Sequence, residues 1–243
     1  MSITATIPKW LALSFLVIWL LDGNSFYAHA SCDKFSCPRS TNCIGKICDY
    51  SCNEKDQTCV QECYDANCTP KCNVGVKHCS QECSYSKTCQ QTCNARETCQ
   101  QKCRKGSGDC SLSCDTKLCK QECYKEDCQA TCNNGSRAKE TCQQKCYKGK
   151  CSLSCNSRDC QQECYKGQGC QAECSGGETC SQECYKANCQ LTCNSKRCNQ
   201  VCKYKGCTAT CGPNVEECTQ DCKYGGKCVS NGSKSKYDCV GKR

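Results

Sequence analysis

The stretch that decides the fold is CSQECYKANCQLTCN, residues 180–194. It contains two C-x3-C pairs, Cys180/Cys184 and Cys189/Cys193, separated by a short turn. The first pair has the form C-x-Q-x-C and is followed by Tyr-Lys, whereas the second pair is followed by Asn, a common turn former. Both types of pair alternate along most of the chain, which predicts a tandem repeat.

The period of this repeat is about twenty residues. Pairs of the first type begin at positions 59, 79, 99, 119, 142, 160, 180, 198 and 218, so eight steps cover 159 residues. Ten units of four cysteines, two of them degenerate, use all but one of the 41 cysteines. Cys32 is left over, which predicts either an intermolecular disulfide or an irregular first unit in which Cys32 pairs with Cys37 or Cys43.

The composition predicts a fold that is held together by disulfides. Cysteine is 41 of 243 residues, well above the level that marks a disulfide scaffold in an oxidising compartment. After residue 30, only fourteen Ile, Leu, Val or Phe residues remain. Because so few apolar side chains cannot build an ordinary core, we expect reduction to unfold the whole array.

The amino terminus predicts secretion. An apolar run, Trp10–Leu21, follows Lys9 and precedes the small-x-small sequence Ala28-His29-Ala30, which is the pattern of a cleaved signal peptide. We therefore expect four regions: a signal peptide at 1–30, an atypical unit at 31–52, the tandem C-x3-C repeats at 53–222 and an atypical segment at 223–243. The expected product is released into the extracellular space.

The local structure of each pair is ambiguous, because positions i and i+4 share a face on a helix and on a strand. Gln-Glu inside the first-type pairs favours short helices, with Thr98, Thr141, Thr179 or Asp159 as caps. The C-x3-C, turn, C-x3-C unit resembles the α-hairpinin family of disulfide hairpins, and this resemblance implies that Cys119 pairs with Cys132 and Cys123 with Cys128. The predicted fold is a small disulfide-rich array of about ten units, each with two short helices. The alternative is a solenoid of disulfide-stacked coils.

Catalytic and metal sites find little support in the sequence. Once the signal peptide is removed, His78 is the only histidine, and no phosphate-binding or H-E-x-x-H motif is present, so we expect no enzyme and no cofactor. Thiolate metal binding is an alternative function, although the spacings C-x-C and C-x2-C do not occur. Three sequons predict N-glycosylation at Asn67, Asn134 and Asn231.

A repeated Tyr-Lys pair indicates either an interaction surface or a solvated face that keeps the array soluble. It occurs as Tyr124-Lys125, Tyr147-Lys148, Tyr165-Lys166 and Tyr185-Lys186, and the formal net charge of the chain is +9. A basic, aromatic row at this spacing suits an anionic matrix polysaccharide, an acidic matrix protein or a mineral surface, and not nucleic acid or a membrane.

The general character of the chain resembles the galaxin type of cysteine-rich repeat protein from mineralised or skeletal organic matrices. This resemblance implies a secreted structural or interaction protein of an extracellular matrix, associated with a biomineral or skeleton. The alternative class is a secreted defence protein, toxin or protease inhibitor, as α-hairpinins can be.

Overall fold

Strands form from the C-x3-C pairs. The computed structural model describes residues 40–44, 47–52, 58–106, 108–124, 127–133, 140–231 and 235–238, and it contains no helix within these ranges. The expectation of helical units is therefore wrong, and the alternative, a solenoid of disulfide-stacked coils, is the observed fold. No described helix exists that could cross a membrane.

Nineteen strands are present in the described part of the chain. In order they are β1 Ser40–Ile44, β2 Ile47–Cys52, β3 Thr58–Tyr64, β4 Asn67–Cys72, β5 His78–Ser84, β6 Thr88–Cys93, β7 Thr98–Cys103, β8 Asp109–Cys114, β9 Leu118–Cys123, β10 Cys128–Cys132, β11 Thr141–Cys146, β12 Lys150–Cys155, β13 Asp159–Cys174, β14 Thr179–Cys193, β15 Arg197–Cys202, β16 Thr208–Cys211, β17 Glu217–Cys222, β18 Lys227–Ser230 and β19 Ser235–Asp238.

Each strand pairs in parallel with the equivalent strand of the next repeat. The first sheet contains the C-x-Q-x-C strands, for example β3, β5, β7, β9 and β11, and the second sheet contains the other type, for example β4, β6, β8, β10 and β12. The longer strands β13 and β14 contribute one half to each sheet. The chain thus passes from one sheet to the other and back, and each coil rises by about 4.8 Å, the spacing between neighbouring strands.

Alternate residues of every regular strand point into the space between the sheets. In the first half of β14, Cys180, Gln182 and Cys184 are all at most 2% exposed. Positions i, i+2 and i+4 share a face only on a strand, because a helix would turn the central glutamine away from the two cysteines. This burial of the central residue is the physical reason why the helical prediction fails.

The middle of the interior is a row of glutamines. From Gln81 onward, each glutamine amide donates a hydrogen bond of 2.7–2.9 Å to the side-chain oxygen of the glutamine in the previous coil. The same Nε2 atoms also reach backbone carbonyls of the second sheet, as Gln144 does to Ala130 and Ser154. We call this row the glutamine ladder; it consists of Gln61, Gln81, Gln101, Gln121, Gln144, Gln162, Gln182, Gln200 and Gln220.

Two rows of disulfides enclose the glutamine ladder. One row closes the corner within each coil, as in Cys184–Cys189, and the other joins each coil to the next, as in Cys193–Cys198. Every described bond links two cysteines that are consecutive in the sequence and five to ten residues apart, as Cys123–Cys128 and Cys132–Cys142 show. The cysteines of the two rows form two separate buried clusters that run along the solenoid.

The hairpin pairing expected from the α-hairpinin resemblance is only partly present. Cys123 bonds to Cys128, but Cys119 bonds to Cys114 of the previous coil and Cys132 bonds to Cys142 of the next. The nested Cys119–Cys132 bond is therefore wrong. The reason is that the units are consecutive turns of one solenoid, so the outer cysteines of each unit bond to its neighbours.

Candidate functional site

The corners that follow the first-sheet strands form one long edge of the solenoid, which we call the tyrosine edge. It comprises the residues between the last cysteine of each first-sheet strand and the first cysteine of the next second-sheet strand. Backbone hydrogen bonds continue the parallel ladder through these corners, as from Tyr124 N to Cys103 O and from Tyr147 N to Cys123 O. Eight tyrosines lie on this edge: Tyr64, Tyr85, Tyr124, Tyr147, Tyr165, Tyr185, Tyr204 and Tyr224.

Four of these tyrosines form a continuous stack. The ring centroids of Tyr124, Tyr147, Tyr165 and Tyr185 are 4.5, 5.0 and 4.7 Å apart, and neighbouring rings are nearly parallel. A cation closes each end, because the Arg104 guanidinium lies 6.0 Å from the Tyr124 ring centroid and Lys203 Nζ lies 4.2 Å from that of Tyr185. The repeat spacing predicted the row of tyrosines, but no sequence motif indicated that Arg104 and Lys203 would lie against its two ends.

Glutamates hold the hydroxyl groups of three stacked tyrosines. Tyr124 donates to Glu122 at 2.9 Å, Tyr185 donates to Glu183 at 2.6 Å, and Tyr165 donates to Glu163. The hydrogen bond to Glu163, with partial burial, raises the pKa of Tyr165 to about 12. In return, the hydrogen bond from Tyr185 lowers the pKa of Glu183, and Lys203 acts in the same direction.

An alkaline titration tests this arrangement. We expect the Tyr165 phenol to ionise near pH 12, about two units above a free tyrosine, because ionisation would place a phenolate beside the Glu163 carboxylate. Since the folded-state pKa is raised, the associated stability is complete below pH 10 and is lost as the pH rises toward 12. Phenolate absorbance followed against pH measures the ionisation, and denaturant unfolding at the same pH values measures the stability.

The control for this titration is a pair of glutamate variants. Glu163→Gln removes the acceptor charge and should bring one tyrosine back toward a pKa of about 10, whereas Glu173→Gln, on the exposed face of the second sheet, should change nothing. A single titration step near pH 10 for all tyrosines would contradict the stacked, hydrogen-bonded arrangement.

The tyrosine edge is strongly basic. Among its described residues, eleven side chains are basic and three are acidic, and nearly all of the basic ones are exposed. The basic residues are Lys87, Arg104, Lys105, Lys148, Lys150, Lys166, Lys186, Lys203, Lys205, Lys223 and Lys227, and the acidic residues are Asp65, Asp109 and Asp127. This edge therefore carries most of the formal net charge of +9.

Exposed lysines face one another in register along this edge. Lys166 lies directly opposite Lys186 in the parallel pairing of β13 with β14, and both side chains are exposed. Lys148 holds the same place in the preceding coil, where Lys166 N donates to Tyr147 O. Like charges directly opposite each other destabilise a sheet, so this row is unfavourable unless anions lie over it.

The opposite edge of the solenoid has no such bias. Its corners follow the second-sheet strands, and asparagine recurs at the first position, as Asn94, Asn156 and Asn194 show. We call it the asparagine edge; its described residues include six basic side chains, Lys77, Arg96, Lys117, Arg158, Lys196 and Arg197, and seven acidic ones, Glu97, Asp115, Glu140, Asp159, Glu178, Glu216 and Glu217. Several of these charges pair with one another, as Arg158 does with Glu178 at 3.2 Å.

The outer face of the second sheet has two outward positions in each strand, and the first of them is uncharged. In eight successive coils it is occupied by a hydroxyl or amide side chain, namely Thr69, Gln90, Ser111, Gln129, Ser152, Gln171, Gln190 and Thr208. A shallow open depression of about 530 Å³ lies on this face near Gly169. Among the described residues, the excess of basic over acidic side chains therefore lies on the tyrosine edge.

His78 lies at the start of β5 and belongs to no cluster of nucleophiles. Its Nδ1 lies 2.8 Å from Thr98 Oγ1, and its Nε2 lies 3.8 Å from a Glu97 oxygen. The neighbouring Cys79 is bonded to Cys72, so its sulfur is not a thiol. The absence of enzymatic activity stays a prediction.

Two of the three sequon asparagines lie within the described residues. Asn67 is exposed at the start of β4, and its Oδ1 accepts a hydrogen bond from Thr88 Oγ1. Asn231 is also exposed, directly after β18. Asn134 lies outside the described residues, as do Cys32, Cys37, Cys239 and the whole of the predicted signal peptide.

Several groups of three cysteine sulfurs are close enough to share a metal ion. One such group is Cys72, Cys79 and Cys93, whose sulfurs lie within 4.8 Å of one another. Each of these sulfurs is already part of a disulfide, with Cys93 bonded to Cys99. Because metals bind the thiolate and not the disulfide, these groups would have to be reduced before they could act as ligands.

The chain matches no protein family, no curated protein and no solved structure. Its class therefore follows from the fold alone: a disulfide-linked, parallel β-solenoid with a basic tyrosine edge. Disulfide bonding on this scale is typical of extracellular proteins.

Proposed function

We propose that this chain is a secreted structural and interaction protein of an extracellular matrix, and that it binds an anionic matrix polysaccharide along the tyrosine edge. More specifically, we propose that this matrix is the organic matrix of a skeleton or a mineralised tissue. The observation that carries the proposal is the row of exposed lysines stacked in register on one edge, with Lys166 opposite Lys186.

The electrostatics of this row favour a polymer over a small anion. Lysines on neighbouring strands, whose backbones are about 4.8 Å apart, repel one another in the free protein, and a chain with regularly spaced sulfates or carboxylates would neutralise several of them at once. Binding of this kind releases the counterions of the polymer, so it weakens steeply as the salt concentration rises.

The rigidity of the solenoid supports the same function. A site that is held by disulfides and by a sheet ladder is ordered before its ligand arrives, so binding loses little conformational entropy. The aromatic stack beside the lysines is fixed in the same way by its hydrogen bonds to Glu122, Glu163 and Glu183.

The test is the affinity for a sulfated and a carboxylated polysaccharide, heparin and alginate, measured in parallel with neutral chitin. We expect Lys148→Gln, Lys166→Gln and Lys186→Gln together to weaken heparin binding at least about tenfold at 0.15 M salt, which corresponds to about 1.4 kcal/mol. The slope of log K against log salt should fall by about two to three, one for each lost contact.

A matched control removes the same charge from the asparagine edge. Lys77→Gln, Lys117→Gln and Lys196→Gln are also exposed, so this triple variant has the same net charge but an intact tyrosine edge. Equal losses of heparin affinity in the two triple variants would contradict a defined site and would indicate attraction by net charge alone. Binding to calcium carbonate or to an acidic protein, without binding to either anionic polysaccharide, would refute the proposed ligand.

The melting temperature of the free protein distinguishes residues that bind the polymer from residues that stabilise the fold. Because Lys166 faces Lys186 across the strand pairing, Lys166→Gln alone should leave the melting temperature unchanged or raise it slightly while it weakens polymer binding. A fall in both quantities would mean that the lysine supports the fold and that the loss of binding is secondary.

A further inference from the structure

Two tyrosines on the tyrosine edge are held in an unusual backbone conformation. Tyr85 and Tyr224 both have a φ of 55°, in the left-handed region that bulky residues rarely adopt. They are also the two most exposed tyrosines on this edge, 66% and 72% exposed. Because a strained backbone and an exposed ring do not stabilise the fold, their recurrence at matching places in two distant coils indicates a functional role for these tyrosines.

A glycine leaves room for the Tyr85 ring. Tyr85 packs over Gly106 of the next coil, where a Cβ atom would lie only 2.6 Å from a Tyr85 ring carbon. Tyr224 is followed in the chain by a glycine with positive φ, Gly225. A third tyrosine, Tyr204, is 47% exposed on the same edge.

The four stacked tyrosines differ from these three in accessibility. The faces of Tyr147 and Tyr165 are covered by neighbouring rings on both sides, and the Tyr165 hydroxyl is held by Glu163. A ring that is enclosed in this way is less accessible to a ring of another molecule, because its faces are covered and its exposed fraction is smaller. We therefore expect the three exposed tyrosines of this edge to react first.

We propose that Tyr85, Tyr204 and Tyr224 are sites of oxidative cross-linking between copies of this protein, through dityrosine formed by an extracellular peroxidase. Each phenol loses one electron and one proton, and the two phenoxyl radicals join through ring carbons next to the oxygen. The hydrogens on those two carbons then move to the oxygens and restore both phenols. The two electrons and two protons released convert one hydrogen peroxide molecule into two water molecules.

The positions of the three tyrosines favour extended assemblies. Tyr85 lies in a coil toward the amino-terminal end of the described solenoid, and Tyr204 and Tyr224 lie toward the carboxyl-terminal end. Each molecule therefore has reactive phenols near both ends, so successive couplings would join molecules into chains. This inference does not depend on polysaccharide binding, because it concerns the isolated protein.

The experiment treats the folded, disulfide-bonded protein with horseradish peroxidase and hydrogen peroxide. Dityrosine fluorescence and covalent oligomers on reducing denaturing gels are the measurements, since reduction removes any product that is linked only by disulfides. We expect Tyr85→Phe, Tyr204→Phe and Tyr224→Phe together to reduce both signals at least about tenfold. The matched control, Tyr124→Phe, Tyr147→Phe and Tyr165→Phe, should stay within about twofold of the unsubstituted protein.

Peptide mapping of the cross-linked, unsubstituted protein provides a test that needs no variant. Links that join Tyr85, Tyr204 or Tyr224 would support the inference. Links found mainly on the stacked tyrosines or on tyrosines elsewhere in the chain would overturn it, as would equal cross-linking in both triple variants. Far-ultraviolet circular dichroism verifies that each variant is folded before treatment.

Discussion

Excess reductant should abolish the β-sheet signal of the protein in far-ultraviolet circular dichroism at 25 °C, without any denaturant. The eighteen described disulfides close loops of five to ten residues, and each bond of this kind contributes about 2 kcal/mol by restricting the unfolded chain. Apart from the cysteines, the described interior has few large apolar side chains, such as Leu112, Leu153 and Leu191. Without the disulfides, little remains to offset the conformational entropy of the chain.

The control for this experiment is the same protein heated without reductant. It should keep its β-sheet signal far above 25 °C, the temperature at which the reduced protein loses it. Alkylation of the reduced protein should make the loss permanent, because the thiols can then no longer pair. A circular dichroism spectrum that survives full reduction, verified by thiol titration, would show that hydrogen bonding alone maintains the solenoid.

Substitution of one ladder glutamine should destabilise the protein far more than substitution of its exposed neighbour. Gln144→Ala removes the two N–H donors that the Nε2 atom shares among Gln121, Ala130 and Ser154, and the acceptor of the hydrogen bond from Gln162. Since the groups left behind are buried and the side chain leaves a cavity, we expect the free energy of unfolding to fall by about 3–5 kcal/mol.

The matched control for this substitution is Gln143→Ala, one residue earlier on the same strand. The Gln143 side chain points outward and makes one exposed hydrogen bond to Gln161, so its loss should cost no more than about 0.5 kcal/mol. Denaturant unfolding with the disulfides intact, together with hydrogen exchange of the amides in this coil, measures both variants. Similar effects of the two substitutions would mean that the glutamine ladder does not stabilise the fold.

The repeat length and the alternation of two strand types could be predicted from cysteine spacing alone, because the cysteines mark equivalent positions in every coil. The choice between helix and strand could not be made from the cysteines, which share a face in either case. The residue midway between them, Gln182 or Leu191 for example, holds the deciding signal. Its recurrence as glutamine in one strand type and as leucine or alanine in the other indicates a third inward-facing position, which only a strand provides.

The tyrosine edge was partly predictable. A twenty-residue recurrence of Tyr-Lys places these residues in one row in any regular stack, and the structure brings Tyr124, Tyr147, Tyr165 and Tyr185 together in this way. The disulfide partners were not predictable from spacing, because every cysteine has a candidate partner both within its own unit and in the next. The strained backbone of Tyr85 depends on the corner geometry, which no local motif encodes.

The disulfides also determine what a protease could achieve against this protein. Each described corner between consecutive regular strands is bridged by a disulfide, as Cys146–Cys151 bridges the corner that contains Lys148 and Lys150. A single cut in such a corner therefore leaves both fragments covalently joined and both strands in place. Trypsin could cut this lysine-rich edge once in each bridged corner without separating the chain, so the solenoid should persist among secreted proteases while its cysteines remain oxidised.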